Sequence, residues 1–219
     1  MIKENLLAVR QTLKNNVKLV AVSKYQPLEY LVEAYEAGQR VFGESHALEV
    51  RDKAEALPKD IEWHFIGHLQ TNKVKFVVGK VDLIQSVDSL RLLEAIQKQA
   101  EKIGCTQDIL LEVNVALQES KSGFTLVELP SVLEKVGAFS NIRVRGFMTI
   151  PPIAENPTGN HKFFQEMCNL SVDITAKKYD NVWVNVLSMG MSDDYADAIA
   201  CGSTMIRVGT AIFGARNYT

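Results

Sequence analysis

Lys24 closes the run Leu19-Val20-Ala21-Val22-Ser23, an apolar stretch that ends on a primary amine. If residues 18–23 form a strand, Val20, Val22 and Lys24 share one face, and the amine sits in a partly desolvated mouth. Desolvation disfavours the ammonium form and lowers its pKa, which equips an amine to attack a carbonyl and form a Schiff base. A lysine at a strand end is, by itself, more often a solvated surface residue. Two stretches near the C-terminus shift that balance. Ser188-Met189-Gly190-Met191-Ser192 leads into a helix expected to begin near Asp193. Small residues there let backbone N–H groups approach an anion, with the helix dipole in support. Arg207-Val208-Gly209-Thr210 again sets a glycine and a hydroxyl where the chain leaves a strand. Alone, the first of these is equally readable as a simple helix cap. An amine, an anion cradle and an inward arginine together describe a pocket for a phosphorylated aldehyde, pyridoxal 5′-phosphate (PLP) first among them.

Other constellations are weaker. His64 and His68 in Trp63-His64-Phe65-Ile66-Gly67-His68 have i, i+4 spacing, but they straddle a strand end and a glycine, and no Glu follows the first as in HExxH. Cys105, Cys168 and Cys201 are odd in number, widely spaced and form no CxxC pair, which argues against a disulfide framework and against a zinc cluster. They are read as reduced packing residues, and no metal is expected. No GxSxG, GxGxxG or GxxxxGK[ST] occurs, so hydrolase, Rossmann and P-loop readings lack support. Lys121, in the loop 119–123, is either part of a surface turn or a second amine that takes the aldehyde transiently.

These residues need elements to position them. Candidate strands are 18–23, 40–43, 62–66, 82–86, 109–115, 143–149, 181–187 and 205–208. Helical stretches lie between them: Pro27-Leu28-Glu29 opens one, Ser89 caps another, and Ser192-Asp193-Asp194 precedes a third. Eight βα units without consecutive hairpins point to a parallel sheet closed into a (β/α)₈ TIM barrel, with an open doubly wound sheet as the other candidate. Period two puts Leu111, Val113 and Val115 on one face of the fifth strand and Glu112 and Asn114 on the other. On the eighth, Ile206 and Val208 oppose Met205, Arg207 and Gly209. With the apolar faces turned to the helices, Glu112, Asn114 and Arg207 point into the barrel. Burying them is expensive unless they are paired or hold a ligand.

The 219 residues are 47% apolar and 23% charged with net charge −2 and mean hydropathy −0.02, which suits one globular domain spanning 1–219. No basic field recruits nucleic acid or an anionic membrane, and no run reaches the length of a membrane span. The N-terminal residues are not a secretory signal, so a cytoplasmic protein is expected.

Six blocks occur in order: Val20-Ala21-Val22-Ser23-Lys24, Phe42-Gly43-Glu44, Trp63 through Lys73, Ser86-Val87-Asp88-Ser89, Ser120-Lys121-Ser122-Gly123, and Leu187 through Ser192. A seventh is Arg207-Val208-Gly209-Thr210-Ala211-Ile212-Phe213-Gly214. In order and spacing the chain resembles the YggS/PROSC family of PLP-binding, or PLP homeostasis, proteins from about Leu19 to Gly214. The resemblance implies a single barrel of the alanine racemase N-terminal type, a fold type III PLP barrel. It implies that Lys24 holds the cofactor through a Schiff base. The phosphate would fall to Ser188, the backbone of Gly190 and Met191, and Gly209 and Thr210, with Arg207 facing the pyridine nitrogen. The family reads FGENY where this chain has Phe42-Gly43-Glu44-Ser45-His46, so no contact of that Asn is carried onto Ser45.

The function implied is a PLP carrier or buffer in intracellular PLP and amino-acid homeostasis, with little or no turnover. An arginine beside the ring nitrogen stays charged and leaves a weak electron sink. In the related racemases the opposing base comes with an extra β-domain after strand eight, whereas only residues 215–219 follow Gly214 here. The expected partners are PLP and PLP-dependent apo-enzymes, and a monomer is expected. The alternatives are a PLP-dependent racemase or decarboxylase, with Lys24 and His64 or another rim residue as bases, and a ketose-phosphate lyase using the same amine.

Overall fold

Runs rich in Val, Ile, Leu and Phe with period-two alternation form eight strands in the computed structural model, which describes residues 1–14, 16–118, 121–156 and 158–215. They are β1 (Lys18–Val22), β2 (Val41–Glu44), β3 (Glu62–Phe65), β4 (Leu83–Val87), β5 (Gln107–Glu112), β6 (Ile142–Met148), β7 (Val182–Ser188) and β8 (Met205–Val208). Each pairs in parallel with the next, and β1 closes on β8, giving a closed barrel in sequence order. Helices α1 (Ile2–Gln11), α2 (Leu28–Glu36), α3 (Ala47–Ala56), α4 (Leu90–Ile103), α5 (Leu129–Val136), α6 (His161–Lys177), α7 (Tyr195–Ala200) and α8 (Thr210–Phe213) surround it. The start signals act as expected. Ser89 Oγ accepts from the Leu92 N–H, and Pro27 stands at the N-cap of α2.

Two elements differ from the sequence reading. The crossover from β3 to β4 carries a short 3₁₀ segment, Thr71–Phe76, where an α-helix was expected. Its Thr, Val and Phe residues are poor helix formers, and Gly79 follows them closely. Strand β5 stops at Glu112, three residues short of Val115: Val113 makes only an isolated bridge to Phe124, after which the chain turns.

Alternate residues of each strand separate two apolar layers. Leu19, Ala21, Trp63, Phe65, Ile109, Leu111, Ile206 and Val208 pack outward against the helices. Val20, Leu83, Leu110, Met148 and Met205 fill the barrel itself. The barrel pinches at Gly146, whose φ is +142° and where a Cβ would lie 1.8 Å from the Val186 carbonyl oxygen. Only glycine admits that approach of β6 to β7.

Candidate functional site

The closing strand pair assembles the site. Its register sets Val20 opposite Arg207 and Ala21 opposite Val208. Lys24, just beyond the end of β1, and Gly209-Thr210, just beyond β8, therefore leave the barrel on adjacent strands at the C-terminal rim. A side-chain carbon on Gly209 would sit 3.3 Å from Val22 Cβ, so the two chain segments touch. Lys24 is half-buried.

Inward parity places Arg207 inside, as expected. Its guanidinium is almost fully buried, donating from Nη1 to Ser188 Oγ at 2.6 Å and from Nη2 to the Thr149 carbonyl at 2.9 Å. Burial pushes its pKa down to about 10, against the pull of Glu112 and Asp194, so it remains cationic at neutral pH. Below it runs a continuous polar chain. Ser188 Oγ donates to Gln85 Oε1 at 2.7 Å, and Gln85 Nε2 lies 2.8 Å from His64 Nδ1. His64 Nε2 lies 2.8 Å from Glu62 Oε1, which also accepts from Lys18 Nζ at 2.7 Å on the opposite face of the barrel. The Glu62 carboxyl is held down to about 2, first by the hydrogen bond from His64 and then by Lys18. His64 is thus an enclosed link with both ring nitrogens engaged, not a rim residue available as a second base. Ser188, expected in the anion cradle, has its hydroxyl committed within this chain.

The segment under the amine is clamped. Lys53 of α3, buried, donates to the Ser23 carbonyl at 2.7 Å, to Glu44 Oε1 at 2.8 Å and to Glu49 Oε1 at 2.6 Å. Ser23 Oγ donates to Glu44, whose burial raises its pKa while Lys53 and Ser23 draw it back. Tyr25, next to Lys24, holds φ 63°. For a bulky side chain that is a strained conformation, kept because Glu49 accepts its N–H at 2.8 Å and its ring packs on His46 at 4.9 Å. His46 thus supports the amine-bearing loop.

At the rim, Glu112 faces inward, its carboxyl pushed up to about 7 by burial and by Asp88, with Arg207, His68 and Lys121 pulling down. Asp88 pairs with His68 at 3.2 Å. Asn114 does not line the barrel, because β5 has ended. Its side chain instead ties the following loop, donating to the Gln118 and Lys121 carbonyls at 2.8 and 3.2 Å. Lys121 Nζ leans toward the Ile150 and Pro151 carbonyls at 3.5 and 3.4 Å; Glu119 and Ser120 lie outside the described residues.

The loops after β7 and β8 meet as the sequence suggests. Arg207 N–H donates to the Gly190 carbonyl at 3.1 Å, and Ala211 N–H reaches Ser192 Oγ at 3.4 Å. Gly190 has φ +95°, and a Cβ there would lie 2.6 Å from Ala198 Cβ of α7. Met191, expected to offer its N–H to an anion, donates it to Asp194 Oδ1 at 2.8 Å. Among the described residues, no acceptor takes the N–H of Gly190, Ser192, Gly209 or Thr210. Open backbone donors from two touching loops are the donor set an anion requires.

Gln85, Glu44, Lys53 and Glu49 escaped the sequence reading. Period two on β3 and β4 carried the signal for Gln85 and for His64 as an interior residue. In the clamp only the i, i+4 pair Glu49–Lys53 was readable; Lys53 meets Glu44 and Ser23 only through packing of α3.

The alanine racemase N-terminal domain model matches residues 1–217. A pyridoxal phosphate homeostasis protein of Aquifex aeolicus is 45% identical over 206 residues, covering 94% of this chain and 90% of that protein. PipY of Synechococcus elongatus PCC7942, solved without PLP, superposes with a TM-score of 0.92 at 34% identity, covering 98% and 100% of the two chains. The same protein solved with PLP bound gives 0.88 at 33% identity, with the same coverage.

Proposed function

The chain belongs to the alanine racemase N-terminal domain family and, within it, to the pyridoxal phosphate homeostasis proteins, and on that premise we propose that it binds PLP covalently at Lys24 and carries or buffers it. The observation that supports this most directly is the β1–β8 register, which brings the segment leading to Lys24 alongside the segment leading to Gly209 and Thr210, whose N–H groups are open. PLP held there would supply an aldehyde within reach of a primary amine and a phosphate dianion for the backbone donors. The donor set fits that group. Gly190, Ser192, Gly209 and Thr210 offer backbone N–H groups to the phosphate. Ser188 is reassigned from phosphate ligand to support of Arg207, and Met191 contributes through the loop that Asp194 fixes.

Arg207 is the residue assigned to the pyridine nitrogen. Cationic at neutral pH, it donates a hydrogen bond and accepts no proton. That leaves the cofactor poorly equipped to stabilise a carbanion. Racemisation also asks for groups on both faces of a substrate carbon, and His64 is held inside the barrel. The reading is therefore a homeostasis protein of little or no turnover.

The test is an absorbance spectrum with added PLP, followed by borohydride reduction and peptide mapping. The expected result is one adduct, on Lys24, absent from Lys24→Ala. An adduct mapped only elsewhere, on Lys121 for example, or none at all, overturns the reading. Amino-acid α-proton exchange in D₂O that disappears with Lys24 would transfer the assignment to a racemase-type enzyme.

A further inference from the structure

His161 opens α6, Asp197 lies on α7, and Cys201 is the C-cap of α7. None belongs to the PLP site proposed above. The spacing of Asp197 and Cys201, i and i+4, puts carboxylate and thiol on one side of α7, and α6 brings the imidazole to them. One ligand atom from each residue lies within 4.8 Å of the others. His161 Nδ1 is 2.8 Å from Asp197 Oδ1 and 3.4 Å from Cys201 Sγ. A tetrahedral zinc ion holds sulfur, nitrogen and oxygen ligands roughly 3.4–3.6 Å apart; the Cys201–His161 spacing already matches, and the His161–Asp197 pair would open from its hydrogen bond to admit the ion.

A second observation points to a cation. The Asp197 side chain is only 8% exposed, and its Oδ2 is buried without a hydrogen-bond donor among the described residues. A buried carboxylate oxygen without a donor is costly, and an ion would satisfy it. The His161 side chain is 58% exposed, which leaves an entry path. A nucleophilic Cys–His–Asp relay does not fit: Cys201 Sγ lies beside the ring, 3.4 Å from Nδ1 and 4.0 Å from Nε2, so the nitrogen nearest the thiol is the one the carboxylate already holds, whereas a relay needs them on opposite ring nitrogens.

We propose that His161, Asp197 and Cys201 form a binding site for a thiophilic divalent cation of the zinc type, with water in the fourth position at the exposed edge of the imidazole. On binding, the Cys201 thiol releases its proton to solvent and the thiolate bonds the metal, with no change of oxidation state. The ion would cross-link α6 to α7. The widely spaced cysteines gave no sign of this, since the ligands come from two helices and include only one thiol.

The test is titration of reduced, PLP-loaded full-length protein with Co²⁺. The expected result is one equivalent with intense tetrahedral bands in the visible and a sulfur-to-cobalt band in the near ultraviolet, both displaced by Zn²⁺. Cys201→Ser should remove the sulfur band, His161→Ala should weaken binding at least tenfold, and Cys105→Ser should change neither. His161 is exposed, so its variant tests the site even if Cys201→Ser folds poorly. A weak octahedral spectrum without a sulfur band, a band that follows Cys105, or unchanged affinity in His161→Ala overturns the proposal.

Discussion

Glu112 stays protonated well into the pH range where a solvated glutamate is ionised, because burial and Asp88 push its carboxyl up to about 7. The unfolded chain releases that proton near the ordinary value of about 4.3. Between these limits the folded protein binds more protons, so stability falls as pH rises through the window. Glu44 is raised too and adds a slope of the same sign. Glu62, held down to about 2, acts in a different window: its stabilisation is present above the usual carboxylate range and is lost as pH falls toward 2. Urea unfolding of the PLP-free protein should therefore show stability declining from about pH 5 to pH 7, by up to about 1.4 kcal/mol per pH unit for each group. Glu112→Gln should flatten part of that decline, and an unaltered slope would refute the assignment. Both Glu112 and Arg207 were legible in the sequence, because period two forces them to the face opposite Leu111 and Val208. What escaped was where the polar atoms go: Ser188 Oγ turns to Gln85 and Arg207, and the Met191 N–H turns to Asp194, contacts set by three strands and a helix at once.

Helix α3 controls the segment that carries the amine, through Lys53 and Glu49. Lys53→Met would leave buried Glu44 without its cation and drive it to take up a proton, so the variant should lose stability in denaturant unfolding, and lose most at alkaline pH. The same variant frees the Ser23 carbonyl, so the survivors should also release PLP faster in a dialysis assay. In the loop after β7, Gly190→Ala must place a carbon against Ala198 while holding φ +95°. It should destabilise by about 1–3 kcal/mol and cut PLP retention in spectra taken on the folded fraction; unchanged retention would remove Gly190 from the anion cradle. All eight strands were visible beforehand, and β8 to the residue, since alternation survives wherever one face meets helices. The ends were less visible. Strand β5 halts where Asn114 diverts its side chain into the next loop. The β3–β4 crossover is 3₁₀ because its β-branched residues pay too much for a full α-helix before Gly79.

At the scale of the molecule, Lys18, Glu62, His64, Gln85, Ser188 and Arg207 thread the barrel from one mouth to the other. Each buried polar atom has a partner because its neighbour has one. Gln85→Met should therefore disturb the far end, moving the absorbance maximum of bound PLP as Arg207 loses its support through Ser188; a spectrum identical to that of the unaltered protein would uncouple the two. PLP at about 100-fold its Kd adds about 2.7 kcal/mol. For a protein of this size that is about 5–10 °C in Tm, most of it lost in Lys24→Ala, as differential scanning fluorimetry can measure. The closure of β1 on β8 has a consequence for synthesis. The amine at residue 24 leaves the ribosome early, whereas its neighbours Gly209 and Thr210 come from the last strand, so a nascent polypeptide displays the nucleophile long before it owns a receptor for the phosphate. If Lys24 and the Gly209-Thr210 segment hold the cofactor as proposed, loading would wait on translation past residue 210.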